Sequence, residues 1–184
     1  MEAGLLLRLA PLPLLLAALS LGGCATLNES ECLNASWSDI GYRDGRTGHS
    51  PDRISDHTEA CQKYGVAPDR KDYLAGRDEG LVQYCTRHNG FEVGLANGSY
   101  EGVCATMNER AFIEGFNKGK ALYEARARLD QVESEIARVD EKRDEKGLSD
   151  EVRDELIDQR IRLEGKRVAA REQVERLEYE TQRF

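Results

Sequence analysis

The sequence predicts a mainly α-helical protein, with a small disulfide-stapled head followed by a long antiparallel helical hairpin of coiled-coil type. Three observations support this fold: four cysteines between residues 32 and 104, Gly-x3-Gly pairs in helical segments, and a charged heptad pattern in residues 121–184. The 184 residues carry a net charge of −8. Because nucleic-acid-binding surfaces are basic, this acidic balance argues against a nucleic-acid partner.

Residues 1–23 have the pattern of an export signal. Arg8 precedes an apolar run from Leu9 to Leu21, which is too short to span a bilayer comfortably and has two prolines near its start. The run ends in the letters LGGC, whose last residue is Cys24. Small residues before a cysteine are similar to the cleavage box of bacterial lipoproteins, and an ordinary secretory signal is the alternative.

The resemblance to lipoproteins implies that Cys24 is acylated and anchors the mature protein in a membrane, with residues 24–31 as a linker. Two or three acyl chains give an almost irreversible anchor. In the lipoproteins that this sequence resembles, aspartate after the cysteine favours the inner membrane, so Ala25 favours the outer one. We therefore expect a cell-envelope protein on the periplasmic face of the outer membrane.

The other four cysteines predict two disulfides, because they form an even set in a chain expected to enter an oxidising compartment. Predicted helices over about 50–64 and 68–86 leave Cys61 and Cys85 about 18 Å apart, too far for a bridge. The preferred pairing joins Cys32 to Cys61 and Cys85 to Cys104, since it closes the shorter loops. No C-x-x-C spacing is present, so we predict no metal site and no cofactor.

Three segments of the predicted head, residues 32–120, carry two glycines four residues apart. This spacing places both glycines on one face of a helix. Each interior glycine weakens a helix by about 0.5–1 kcal/mol, so close packing against another backbone must offset the cost. We therefore predict helices that cross tightly at Gly41, Gly45, Gly76, Gly80, Gly115 and Gly119.

Polar and aromatic residues beside the first two glycine pairs are candidates for a binding site. They are Trp37, Tyr42, Arg43, Asp44, Tyr73, Arg77 and Asp78. A glycan or small-molecule binder would need the rings of Trp37, Tyr42 and Tyr73 to be exposed together. Buried rings would instead belong to the core.

The order of cysteines, glycines and tyrosines over about residues 30–123 resembles a known family. Its motifs are Trp-x3-Gly-Tyr-x-Asp-Gly from Trp37, Tyr-Gly-Val-x-Pro-Asp from Tyr64, and Tyr-x2-Gly-x3-Gly-Leu-x2-Tyr-Cys from Tyr73. They look like those of a proteobacterial lipoprotein family that carries a domain of unknown function. The resemblance implies an envelope location, and it implies no activity, catalytic residue or cofactor.

Between Cys85 and Cys104 the pattern changes from helix to turn. Asn89-Gly90 and Asn97-Gly98 are turn signals, and apolar residues alternate before the second one. The segment predicts a short β-hairpin or an irregular loop.

Residues 121–184 carry apolar residues at spacings of three and four from Leu122 to Val139, which is a heptad seam. Gly147 interrupts the seam, and Ser149 is placed to cap a second helix. Half of these 64 residues are charged, yet their net charge is only −4, which favours ion pairs on solvated faces. The functional interpretation is association with an envelope protein partner or with a second copy of this chain.

Catalytic patterns are weak. Pro51 separates His49 from His57, which prevents a shared helical face, and we expect His57 to be a solvated helix residue. The sequence therefore predicts no catalytic residue and a non-enzymatic binding or scaffold protein of the envelope. The alternatives are a glycan binder and a cell-envelope hydrolase, which would need His57, Asp44 and Asp78 in one cleft.

Overall fold

The computed structural model of the protein describes residues 26–34 and 36–182, and these residues form helices and no strand. The predicted signal peptide and Cys24 lie outside the described residues. The mainly helical class is confirmed. The helices are α1 (Glu29–Asn34), α2 (Trp37–Arg46), α3 (Arg53–Gln62), α4 (Arg70–Tyr84), α5 (Arg87–Leu95), α6 (Glu109–Arg143) and α7 (Asp150–Thr181).

The head consists of two halves with the same order of parts: a cysteine, a glycine-paired helix, a second cysteine and a second glycine-paired helix. The first half uses α2 and α4, and the second uses α5 and the start of α6. Both predicted disulfides are confirmed, with Cα–Cα distances of 5.4 Å for Cys32–Cys61 and 5.5 Å for Cys85–Cys104. Each bridge ties the segment before one helix to the crossover that leads to the next.

The paired helices of each half run parallel and touch through their backbones. A Cβ on Gly41 would lie 2.0 Å from the carbonyl oxygen of Tyr73, and one on Gly45 would lie 2.1 Å from that of Arg77. The contacts advance together along both helices, from Gly41 with Tyr73 to Gly45 with Arg77, so α2 and α4 run in the same direction. From the other side, Gly76 and Gly80 face α2, while Gly115 and Gly119 of α6 face α5.

The segment predicted as a β-hairpin or loop is the helix α5, so the strand prediction was wrong. Thr86 caps this helix, since its hydroxyl accepts a hydrogen bond from the Asn89 N–H. Gly90 and Gly94 form a fourth Gly-x3-Gly pair, with carbonyl oxygens of α6 at 2.2 and 2.1 Å from their Cβ positions. Backbone packing against α6 thus favours the helix over the strand that alternating residues suggested.

Residues 26–31, expected to belong to a linker, are part of the head. Leu27 is buried at 3% exposure in a core cluster with Ile40 and Ile54. Asn28 and Glu31 cap the start of α1 reciprocally, because the backbone N–H of each donates to the side chain of the other at 3.0 Å. The chain is therefore fixed to the head from residue 26 onward.

The helices α6 and α7 form the predicted antiparallel pair. Ion pairs join them at positions that rise along one helix and fall along the other: Arg126–Glu178, Arg171–Glu133 and Arg160–Asp140, at 2.6, 3.6 and 2.7 Å. Gly147 has a φ of +85° in the turn, which favours glycine. The expected boundary between residues 120 and 121 lies inside α6, because one continuous helix serves both head and hairpin.

Candidate functional site

Four residues from separate segments meet in a polar cluster inside the first half of the head. Asp44 comes from α2, His57 from α3, Tyr73 from α4 and Thr26 from the N-terminal segment. The ring nitrogens of His57 lie 2.8 Å from Thr26 Oγ1 and 2.7 Å from Asp44 Oδ2. The Tyr73 hydroxyl donates a second hydrogen bond to Asp44 Oδ2, also at 2.7 Å. We call these four residues the Asp44 cluster.

Asp44 is the electrostatic centre of this cluster. Burial opposes its ionisation, but hydrogen bonds from His57 and Tyr73 outweigh burial, so the pKa of Asp44 lies below its ordinary value. Burial and the bond to Asp44 raise the pKa of Tyr73 far above its usual range. The cluster therefore holds an ionised carboxylate with its hydrogen-bond donors already in place.

The arrangement suits a structural role better than proton transfer. His57 is 2% exposed, and both of its ring nitrogens are engaged within the chain. The expectation that His57 is solvated was wrong, because Asp44 and Thr26 provide the partners that allow its burial. Since Thr26 is bonded to His57, the cluster also holds the N-terminal segment against the head.

The hydrolase alternative required three residues to meet in one cleft, and the structure brings only two of them together. His57 contacts Asp44, whereas the Asp78 side chain is 70% exposed on α4. The glycan alternative required three exposed rings, but Tyr73 is fully buried and Trp37 packs against the core. Neither predicted constellation is present as a surface site.

The remaining candidate residues make separate local contacts. Arg43 pairs with Glu31 at 3.3 Å, and the Tyr42 hydroxyl accepts a hydrogen bond from Gln83 at 2.7 Å. Arg77 is buried at 5% exposure, and its Nε and Nη2 donate to the His49 carbonyl at 2.9 and 2.8 Å. These contacts tie α1, α2 and α4 together rather than converging on one cavity.

A cleft of about 510 Å³ lies elsewhere on the head, between α3 and the segment after it. None of the predicted site residues lines it. Its lining residues are Ser55, Thr58, Glu59, Gln62, Gly65, Val66 and Ala67.

An exposed apolar stripe runs along α7. Ile157, Ile161 and Val168 are 42%, 65% and 54% exposed. At 100° per residue, Ile161 lies about 140–160° around the helix from the buried residues Leu156 and Leu163. The stripe, called the outer stripe below, therefore lies outside the seam, and Ile157 and Ile161 border a hollow that is shared with Arg143 of α6.

Two properties of the described residues bear on metals and membranes. In residues 26–34 and 36–182, no three His, Cys, Asp or Glu side chains come together as a metal site would require. None of the helices in the same ranges combines the length and apolar character of a membrane-spanning segment.

Comparison with protein families gives one result. Residues 36–121 match the family model described as Protein of unknown function (DUF2799). This region is a domain of unknown function. The DUF2799 match covers α2 to α5 and ends inside α6, so the hairpin beyond that point lies outside it. No curated protein and no solved structure matched the chain.

Asp44 and His57, the hydrogen-bonded pair at the centre of the Asp44 cluster, lie within the DUF2799 region, and so does Tyr73. The sequence pattern named Asp44 and Tyr73 as candidates, and it grouped His57 with Asp44 only in the hydrolase alternative, since the two residues are 13 positions apart on different helices. No local motif signals such a contact, because it joins side chains on two different helices.

Proposed function

We propose that this protein is a lipid-anchored, non-enzymatic binding or scaffold protein at the periplasmic face of the outer membrane, and that the outer stripe is its binding surface. The observation that carries the proposal is the exposure of Ile157, Ile161 and Val168 on one face of a long helix. Aligned apolar residues on a solvated helix are typical of surfaces that bind another helix.

The N-terminal segment supports the anchoring part of the proposal. Thr26 is bonded to His57, and Leu27 is buried in the core, only two and three positions after Cys24. An acyl group on Cys24 would therefore hold the head within about 7 Å of chain length from the lipid surface. The two disulfides support the same interpretation, because they persist in an oxidising compartment.

The test is chemical crosslinking of the full chain in intact cells. The triple variant Ile157→Glu, Ile161→Glu, Val168→Glu places charges on the stripe without touching the buried seam. We expect it to reduce crosslinked complexes by about tenfold or more, since burying an unpaired carboxylate costs more than 1.4 kcal/mol.

The matched control is Val82→Glu, which adds a charge to a head residue that is 66% exposed. This variant should retain the wild-type crosslinks. A Cys24→Ser arm tests the anchor, because loss of acylation should move the protein from the membrane fraction to the soluble fraction. Unchanged crosslinks in the triple variant would refute the binding surface, and membrane retention of the Cys24→Ser chain would refute the anchor.

A further inference from the structure

Gly165 differs from the other glycines found inside the described helices. Each of the eight helical glycines in the head has a backbone atom at 1.9–2.3 Å from its Cβ position, whereas Gly165 has nothing within 4 Å. Gly165 lies about 40° around α7 from Ile161 and about 60° from Val168, and so borders the outer stripe. The cost of this interior glycine is not offset by any contact within the described chain.

Beside the outer stripe, charged residues occur as pairs of adjacent residues with opposite charges. Arg153 and Asp154 flank its beginning, and Arg171 and Glu172 follow Val168. Glu175 and Arg176 form a further such pair, with the order of charges reversed. In each pair, the first residue lies on one side of the stripe and the second lies on the other, because successive residues are 100° apart.

An antiparallel pairing of two α7 helices fits these charges poorly. The register that places Ile157 opposite Val168 of a second copy also brings like charges together across the stripe. In an antiparallel pair, residues on one side of the stripe meet residues on the same side of the stripe in the second copy. Arg153 would therefore face Arg171, and Asp154 would face Glu172. Like charges placed opposite each other destabilise such a pair.

A parallel, in-register pairing satisfies both the apolar and the charged residues. Ile157, Ile161 and Val168 each meet their own counterparts, with Gly165 allowing close approach. In a parallel pair, residues on one side of the stripe meet residues on the opposite side of the stripe in the second copy. Each of the three charge pairs therefore becomes a bridge between copies: Arg153–Asp154, Arg171–Glu172 and Glu175–Arg176. Within the described part of the chain, Asp154, Glu172, Glu175 and Arg176 form no ion pair of their own. Arg171 lies 3.6 Å from Glu133 of α6, so its bridge to Glu172 of a second copy would share Arg171 with that contact.

We infer that the occupant of the outer stripe is a second copy of this chain, bound through parallel, in-register α7 helices. This inference rests on the proposed function, for which it names the partner. Two copies anchored through Cys24 in one membrane present their hairpins in the same direction, as a parallel pair requires. The head leaves this face open, because α5 contacts α7 on the seam side, near Val174 and Leu177.

The experiment introduces one cysteine at a time into the full chain and follows dimers on non-reducing gels of intact cells. In a parallel pair every stripe residue lies beside its own counterpart. Both Ile161→Cys and Val168→Cys are therefore expected to give a species of twice the chain mass, and Val82→Cys on the head is expected to give none. Retention of the wild-type helical signal shows that each variant is folded.

A charge exchange tests the register in the Val168→Cys background. Arg176→Glu places two glutamates opposite each other and should lower the dimer yield by about threefold. Adding Glu175→Arg restores opposite charges and should restore the yield, which a structural role of Arg176 alone would not do.

Other outcomes overturn the inference in distinguishable ways. A dimer through Ile161→Cys but not Val168→Cys indicates an antiparallel pair and refutes the parallel register, because residue 161 lies near the centre of the register that places Ile157 opposite Val168. A disulfide-linked species whose mass differs from twice the chain mass shows that the partner is another protein. This outcome refutes the inference that the partner is a second copy, and it leaves the proposed function intact. If neither cysteine forms a bridge but the triple glutamate variant still loses crosslinks, the inference fails and the proposed function stands.

Discussion

The head and the hairpin are both built from paired helices, but they differ in what lies between the helices. In the head, glycine pairs let backbones touch, so a single added Cβ would meet a carbonyl oxygen at 1.9–2.3 Å. In the hairpin, apolar side chains fill the seam: Ile136, Val139, Leu156 and Leu163 form its core cluster. Glycine is therefore required for the fold of the head and is unnecessary for the fold of α7.

The largest expected effect comes from adding one methyl group to the head. Gly41→Ala would place a Cβ 2.0 Å from the Tyr73 carbonyl oxygen, and neither backbone can move without separating α2 from α4. We expect a loss of about 3 kcal/mol or more in the free energy of unfolding, measured by urea denaturation. Asp39→Ala, an exposed change in the same helix, is the control. A loss below about 1 kcal/mol would contradict the backbone-contact account.

A smaller effect is expected at the Asp44 cluster. Asp44→Asn keeps the size of the side chain but removes the charge that accepts hydrogen bonds from His57 and Tyr73. We expect a loss of about 2 kcal/mol near pH 7, because charge-assisted hydrogen bonds contribute more than neutral ones. The exposed change Asp78→Asn should cost much less.

The pH dependence of this variant has a defined sign. The folded-state pKa of Asp44 lies below the ordinary value of 3.8, so its contribution is present above pH 3.8 and is lost as the pH falls through the folded-state pKa. The difference in unfolding free energy between wild type and Asp44→Asn should therefore shrink in strong acid. A difference that stays constant from pH 7 to pH 2 would contradict this interpretation.

The smallest effect is expected in the hairpin, and it has the opposite sign. Gly165→Ala has open space for its Cβ and removes an interior glycine, so the isolated chain should gain about 0.5–1 kcal/mol. The measurement is urea unfolding at a concentration low enough to keep α7 unpaired. Destabilisation there would show that Gly165 has a packing role within the chain.

Much of the architecture could be predicted because it depends on local patterns. The helical class follows from periodicity, and the disulfide pairing follows from loop length. Three of the four glycine pairs are visible from their spacing alone. The fourth, Gly90 and Gly94, was hidden by alternating apolar residues and by the Asn97-Gly98 turn signal, and only contact with α6 decides in favour of a helix.

The candidate site was harder to predict, because it joins residues that are distant in sequence. Thr26 and His57 are 31 positions apart, and Tyr73 and Asp44 are 29 apart. The predicted boundary after residue 120 rests on a change in amino-acid composition. A change in composition does not end a helix, and the backbone hydrogen bonds of α6 continue through this point. The outer stripe became distinguishable from the seam only once the exposure of each side chain was known.

The continuity of α6 has a mechanical consequence. Its 35 residues extend about 52 Å without a proline or other break, and the same helix carries Gly115 in the head and Val139 near the hairpin turn. The hairpin is thus a lever arm without a hinge at its base. A force on its tip would therefore act directly on the backbone contacts between α6 and α5, where Gly115 and Gly119 meet the carbonyl oxygens of Arg87 and Phe91.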